Sequence, residues 1–103
     1  MNSTEVKNII KDELKDILDL AIVFGLNLNN CLIEPIKQEY QTFSDSNITN
    51  ELWTVLEEIS DKSGYKITFD DEEKLFGLGI LTNTNELVDI GFYGTFLETL
   101  RGM

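Results

Sequence analysis

The stretch from residue 64 to residue 102 constrains the fold more than any other part of the chain. It contains three apolar segments, and polar residues separate each segment from the next. In the first segment, Tyr65 to Phe69, apolar and polar residues alternate as they do in a strand with one buried face. The segments Leu75 to Leu81 and Leu87 to Phe92 are each bounded by polar residues. Together they predict a three-stranded antiparallel β-meander.

The same stretch predicts a short helix after the meander. Thr95 and Glu98 have the spacing of a capping box, in which each side chain bonds the backbone N–H of the other residue. Three glycines interrupt the second and third strands: Gly77, Gly79 and Gly91. Glycine inside a strand marks a β-bulge or the close approach of another backbone.

The beginning of the chain predicts one long amphipathic helix over residues 1–24. Apolar residues recur every three or four positions from Val6 to Ala21, which gives one apolar stripe. Asn2 and Glu5 have capping-box spacing at the start of this segment. The polar face carries acids and bases in near balance, so the stripe is expected to pack on a core and not on a membrane surface.

Two further segments precede the meander. Residues 34–40 either form a short helix, with Pro35 in its first turn, or run extended, and we favour the helix. A second clear helix is predicted from position 48 or 49 to about position 60. Its apolar face would hold Leu52, Val55, Leu56 and Ile59, with Trp53 at its flank.

These elements predict a single α+β domain over residues 1–103. Its N-terminal helices would pack on the three-stranded antiparallel β-meander, with a short C-terminal helix, because long helices before a run of strands argue against alternating βαβ units. The predicted core is Ile10, Leu14, Ile17, Leu52, Leu56, Ile67, Phe69, Leu78, Ile90, Phe92 and Leu97.

Composition argues against several chemistries. The chain has no histidine, so the Ser-His and Cys-His nucleophile pairs and most zinc sites are excluded. The single Cys31 cannot form an intrachain disulfide, which favours a reducing compartment. The longest apolar run, Leu20 to Leu26, is too short to span a bilayer, and no signal-peptide pattern is visible. We therefore expect a cytoplasmic protein with no enzymatic activity, no cofactor and no metal.

Charge is the strongest functional signal in the sequence. The formal net charge is −11, beyond the roughly 2–8 units that solubility requires of a small domain. Direct binding of nucleic acid is disfavoured, because phosphates must be neutralised by Lys and Arg. Over half of the net charge lies within residues 51–73, and the predicted turn Asp70–Glu73 places four carboxylates side by side. Such a cluster favours an acidic surface that attracts a basic partner.

Two other uses of this cluster fit less well. A calcium loop needs spaced ligands around a glycine turn, and four adjacent carboxylates lack that spacing. Paired carboxylates can catalyse hydrolysis only in a cleft that moves their pKa values apart, whereas a hairpin tip is normally solvated. A metal-dependent carboxylate enzyme is therefore the least favoured alternative.

The second half of the chain also resembles a known class of proteins. The segments ELWTVLEE, GYKITFDDEEKLFGLGI and GFYGTFLETLRGM, within residues 51–103, are similar to stretches of small acidic bacterial immunity proteins. These are the immunity proteins of contact-dependent growth-inhibition and related polymorphic toxin systems. The resemblance implies a cytoplasmic, non-enzymatic protein that binds a cognate toxin domain, often a basic nuclease, and blocks its active site or another surface.

Residues and resemblance together give one functional hypothesis and one alternative. The hypothesis is an immunity protein whose acids meet a basic toxin surface, with Trp53 or Tyr93 as an apolar anchor. The acids are Glu57, Glu58, Asp61, Asp70, Asp71, Glu72 and Glu73. The alternative is a phage-type inhibitor that mimics DNA and binds a host nucleic-acid-binding protein.

Overall fold

Five strands in a closed barrel dominate the protein. The computed structural model describes residues 1–20, 23–58 and 64–103. In chain order the elements are α1 (Ser3–Leu14), α2 (Leu28–Cys31), β1 (Leu32–Thr42), β2 (Asp45–Glu57), β3 (Tyr65–Asp70), β4 (Leu75–Leu81), β5 (Leu87–Gly94) and α3 (Phe96–Arg101). The barrel order is β1-β2-β3-β4-β5. The predicted arrangement of N-terminal helices on a three-stranded meander is therefore wrong.

The barrel closes through a short parallel contact. Successive strands pair antiparallel, and β1 then meets β5 in parallel through two register pairs, Gln41 with Val88 and Thr42 with Asp89. The Phe43 N–H extends this contact by donating to the Asp89 carbonyl oxygen at 3.1 Å. An odd number of strands in a meander brings the first and last strands together in the same direction, so the closing pair must be parallel.

The three predicted strands are present as β3, β4 and β5, and both adjacent pairs are antiparallel. Ile67 lies opposite Leu78, and Phe69 lies opposite Phe76. The Phe69 and Phe76 rings are 4.6 Å apart, and Phe76 meets Phe96 of α3 at 5.6 Å. Helices α1 and α3 therefore cover the outer face of this part of the barrel and form the main apolar core with it.

The predicted second helix is wrong, because residues 45–57 form strand β2. Every residue from Leu52 to Leu56 is buried, so both faces of this part of the strand are covered. A short apolar run that is buried on both faces has no period of two, so it cannot be distinguished from a helical segment by its pattern. Ile59 and Ser60, which the predicted helix also included, lie outside the described residues.

The predicted short helix over residues 34–40 is also wrong, because this segment lies within β1. Leu32 pairs with Leu56 and Ile36 pairs with Thr54, so three residues of β1 lie opposite one residue of β2. Pro35 sits in this bulge, where its missing N–H does not interrupt a regular hydrogen-bond ladder.

Helix α1 is shorter than predicted. Both predicted capping boxes are present, Asn2 with Glu5 and Thr95 with Glu98. However, α1 ends at Leu14, and Leu18 of the predicted stripe is fully exposed. Asp16 and Asp19 disfavour further helical turns, because carboxylates oppose the negative end of the helix dipole. Ala21 lies outside the described residues.

Most of the predicted core residues are buried. Ile10, Leu14, Leu52, Leu56, Ile67, Phe69 and Leu78 are buried, and Ile17, Ile90 and Leu97 are partly buried against the core. Phe92 is an error in the prediction, because its side chain is 38% exposed. Its ring lies beside Gly77, and a methyl group added to that glycine would lie 2.9 Å from the ring.

The barrel interior is small and polar. The Thr54 hydroxyl lies 2.5 Å from the hydroxyl of Tyr40 and donates to the Gln38 side chain at 2.7 Å. Burial raises the pKa of Tyr40 to about 12. A methyl group on Gly79 would lie 2.7 Å from the Tyr40 ring, so this glycine makes room for the tyrosine. The β4–β5 register shifts at Gly77 and Gly79, which confirms the predicted bulges.

Candidate protein-binding surface

The turn between β3 and β4 is held by its own first residue. The Asp70 carboxylate accepts hydrogen bonds from the backbone N–H groups of Glu72 at 2.9 Å and Glu73 at 3.3 Å. Lys74 closes the turn in the left-handed region, with φ of 60°, and its N–H donates to the Asp70 carbonyl oxygen at 2.8 Å. The turn therefore presents the side chains of Glu72 and Glu73 to solvent on a fixed backbone.

Asp71 is anchored from the neighbouring strands. Its carboxylate accepts a hydrogen bond from the Trp53 indole N–H at 3.0 Å and an ion-paired hydrogen bond from the Lys37 ammonium at 3.3 Å. The bond from Trp53, followed by that from Lys37, lowers the pKa of Asp71 below its ordinary value. Trp53 is only 8% exposed, so it supports the turn from below and does not provide an exposed apolar anchor.

The acidic cluster extends onto β1 and β2. Glu51 lines a cleft of about 290 Å³ together with Asp70, Asp71 and Glu72. Glu39 lies directly opposite Glu51 in the β1–β2 register, and both side chains are exposed. Like charges directly opposite each other in a strand pair are destabilising. We define the acidic surface as Glu39, Glu51, Asp70, Asp71, Glu72 and Glu73.

Glu57 and Glu58 lie elsewhere. Glu57 forms an ion pair at 2.7 Å with Lys66, which is 2% exposed, and Glu58 accepts a hydrogen bond from the Tyr65 N–H at 3.4 Å. Glu57 lies opposite Lys66, and the four-residue separation of Lys66 and Asp70 along β3 spans about 13 Å. The predicted acids therefore form two groups. Asp61, the remaining predicted acid, lies outside the described residues.

Exposed apolar residues lie on β4 and β5, and one of them, Leu75, adjoins the turn. Leu75, which follows the turn, is 37% exposed, and Phe92 lies opposite Gly77 on β5. Tyr93 is 46% exposed, but its ring packs against Gly102 and, with Leu97, Glu98 and Arg101, lines a separate hollow beside α3. Leu75 adjoins the turn and is more exposed than Trp53, so it is better placed to make apolar contacts beside the acids.

Sequence reasoning missed Glu39, and it did not select Glu51 as a site residue. The available signal was a spacing of two positions, which places residues on the same side of a strand. Lys37 and Glu39 have this spacing, and so do Glu51 and Trp53. The helical interpretation of both segments removed that signal, because a spacing of two does not place residues on one helical face.

Other chemistry in the described part of the chain is limited. Residues 1–20, 23–58 and 64–103 contain no group of three acidic or cysteine side chains arranged to hold a metal ion. Burial, followed by the charge of Glu58, raises the pKa of the Cys31 thiol, which disfavours the nucleophilic thiolate. Within those same residues, no helix combines the length and the apolar character needed to cross a membrane.

Comparisons of the chain with protein-family models, with curated proteins and with solved structures found no match.

Proposed function

We propose that the protein is a cytoplasmic, non-enzymatic immunity protein that neutralises a cognate toxin domain by binding a basic face of it through the acidic surface. The observation that carries the proposal is the exposed cross-strand pair of Glu39 and Glu51 beside the turn. A pair of like charges in direct register opposes folding, so a functional gain is the natural reason to keep it. A basic partner would convert this repulsion into attraction.

The members of the acidic surface have different roles in this proposal. The side-chain carboxylates of Glu39, Glu51 and Glu72 have no ion pair with any described residue, so they remain available to a partner. Asp70 and Asp71 are engaged in holding the turn. We therefore assign recognition to the first three, with the exposed Glu73, and positioning to the other two.

The association rate and the dissociation rate of the complex are expected to depend on different residues. Clustered exposed charges mainly raise the association rate and make it dependent on ionic strength. Leu75 would provide desolvated apolar contact beside the acids, which mainly slows dissociation. This division replaces the roles first predicted for Trp53 and Tyr93.

The test requires the candidate toxin domain encoded next to the gene for this protein. Co-expression should protect cells from that domain, and stopped-flow mixing of the purified partners should give the association rate at several salt concentrations. The variant with Glu39→Gln, Glu51→Gln and Glu72→Gln is expected to associate at least roughly tenfold more slowly at low salt. It should also show a weaker salt dependence, since fewer charges steer the encounter.

A matched control removes the same charge elsewhere. Asp12→Asn, Asp16→Asn and Glu86→Gln change three exposed acids outside the acidic surface and should alter the association rate far less. Equal slowing of both variants would mean that net charge alone matters, and no slowing of either would place the binding surface elsewhere. Capture of a host nucleic-acid-binding protein, with no protection against the toxin, would favour the DNA-mimic alternative.

A further inference from the structure

An apolar groove lies between α1 and the beginning of β1, on a part of the molecule that the proposed function does not use. Its volume is about 450 Å³, which is within the range of small-molecule sites. Six apolar residues line it: Ile10, Leu14, Leu20, Leu32, Ile33 and Pro35. Ile10 and Leu14 are nearly fully buried, so they form part of a continuous apolar wall and not scattered surface contacts.

The groove exists because of the proline bulge in β1. Residues 33–35 lie opposite a single residue of β2, so this part of the strand departs from the regular ladder. Ile33 and Pro35 line the groove from the strand side, and Ile10 and Leu14 line it from the helix side. Apart from Leu20, which lies between α1 and α2, the groove is bounded by a helix and a defined bulge, which suits a largely pre-formed site.

The rim of the groove is basic, although the protein as a whole is strongly acidic. Lys7, Lys11 and Glu34 are the charged residues that line it. Lys7 is ion-paired with Glu34, and the Ser3 hydroxyl donates to the same carboxylate at 2.9 Å. These bonds, with that from Lys7 the largest, lower the pKa of Glu34. The charge of Lys11 also acts on Glu34, but Lys11 has no ion pair with any described residue, so its ammonium can donate to a ligand.

We propose that this groove binds an amphipathic anion, with an apolar chain against Ile10 and Leu14 and a carboxylate at Lys11. The apolar lining would remove the chain from water, and the free ammonium would supply a charge-assisted hydrogen bond to the head group. An amphipathic cation would find no free carboxylate there, because Glu34 is already bonded to Lys7 and Ser3.

Decanoate, below the concentration at which it forms micelles, is a suitable probe of this site, with decanol and decylamine as neutral and cationic analogues. Isothermal titration calorimetry should show decanoate binding at least roughly tenfold more tightly than either analogue, which is the effect of a hydrogen bond to a charged group. Methyl NMR shifts of the unmodified protein should localise binding to Ile10, Leu14 and Ile33.

Two lysine substitutions separate the head-group contact from general charge effects. Lys11→Met keeps the length of the side chain but removes its charge, so it should abolish the preference for decanoate over decanol. Lys15→Met removes the same charge from the residue that caps the C-terminus of α1, but Lys15 pairs with Asp12 and does not line the groove. This control should retain the preference.

Three results would overturn the proposal. They are equal affinity for decanoate and decylamine, methyl shifts confined to other regions, and an equal effect of the two lysine substitutions. Sedimentation of the free protein could give a fourth result that overturns the proposal. A dimer dissociated by Ile33→Trp, with decanoate unable to compete, would assign the groove to a second copy of the chain.

Discussion

At the scale of single residues, Glu39 and Glu51 are the clearest case of a local conflict in the structure. They lie directly opposite each other on neighbouring strands, and Lys37 and Trp53 form the next register pair on the same face, two positions along. Lys37 does not relieve the repulsion, because its ammonium bonds Asp71 and lies 5.6 Å from the Trp53 ring centroid. The two glutamates therefore face each other without a compensating cation among the described residues.

Substitution of one glutamate should reveal this conflict as a gain in stability. Glu51→Gln keeps the size of the side chain and removes one charge, so the free energy of unfolding should rise by about 0.2–1 kcal/mol. Urea unfolding at low ionic strength measures the change, and the gain should shrink as salt screens the pair. Glu86→Gln, an exposed acid in the β4–β5 connection, is the matched control and should show less effect.

The same substitution also bears on the proposed function. If the pair is kept for binding, Glu51→Gln should be more stable and yet associate more slowly with the toxin domain, as in other trade-offs between stability and function. A variant that loses stability would show instead that Glu51 has a favourable partner in the folded protein. The glutamate pair would then not indicate a binding surface.

At the scale of elements, the β2–β3 pair combines a buried ion pair with the support of the acidic turn. Lys66 is 2% exposed, and Glu57 is its partner at 2.7 Å. At the other end of the same strand pair, Trp53 lies opposite Phe69 and bonds Asp71. One strand pair thus carries a structural acid at one end and proposed recognition acids at the other.

Neutralising Glu57 should therefore destabilise the fold instead of weakening recognition. Glu57→Gln leaves the buried Lys66 ammonium without its counter-charge, and loss of one partner from a buried pair costs about 3–5 kcal/mol. Glu58→Gln is the control, because Glu58 lies next along the chain and its carboxylate accepts a long hydrogen bond of 3.4 Å from the Tyr65 N–H. Thermal unfolding compares the two, and a similar small change in both would contradict the structural role of Glu57.

The elements also show where sequence reasoning succeeded and where it failed. Strand β3 was predictable from its period and helix α3 from its capping box, and β4 and β5 were predictable as short apolar runs bounded by polar residues. Strand β2 was not, since burial on both faces erased the alternation on which a strand prediction depends. Strand β1 failed for the opposite reason: its inward-facing Gln38 and Tyr40 meet a polar interior, so no apolar period appears.

The site was predictable to a similar extent. The turn Asp70–Glu73 stands out in the sequence as four adjacent acids, and the structure places it at the end of a β-hairpin. Its extension to Glu39 and Glu51 depends on the pairing of β1 with β2. Pairing between strands is a long-range property, which local periodicity cannot give once the strands themselves have been taken for helices.

At the scale of the whole molecule, the net charge of −11 should make folding and binding respond to salt in opposite directions. Self-repulsion opposes the compact state, and salt screens it, with a Debye length of about 10 Å at 0.1 M. Three of the four ion pairs between described residues have a partner whose side chain is at least 38% exposed, so screening them costs little. The buried pair of Lys66 and Glu57 is screened much less.

We therefore expect the melting temperature to rise when sodium chloride is added, by about 5 °C for each ~1 kcal/mol gained, while association with the toxin domain slows. Differential scanning calorimetry across a salt series measures the first effect. Sodium sulfate at equal ionic strength is the control, because it also strengthens apolar burial and should stabilise further. A melting temperature that falls with sodium chloride would mean that attractive ion pairs outweigh the repulsion among the acids. In that case the excess of acids would not be a cost to folding, and the glutamate pair of β1 and β2 would lose its value as a sign of function.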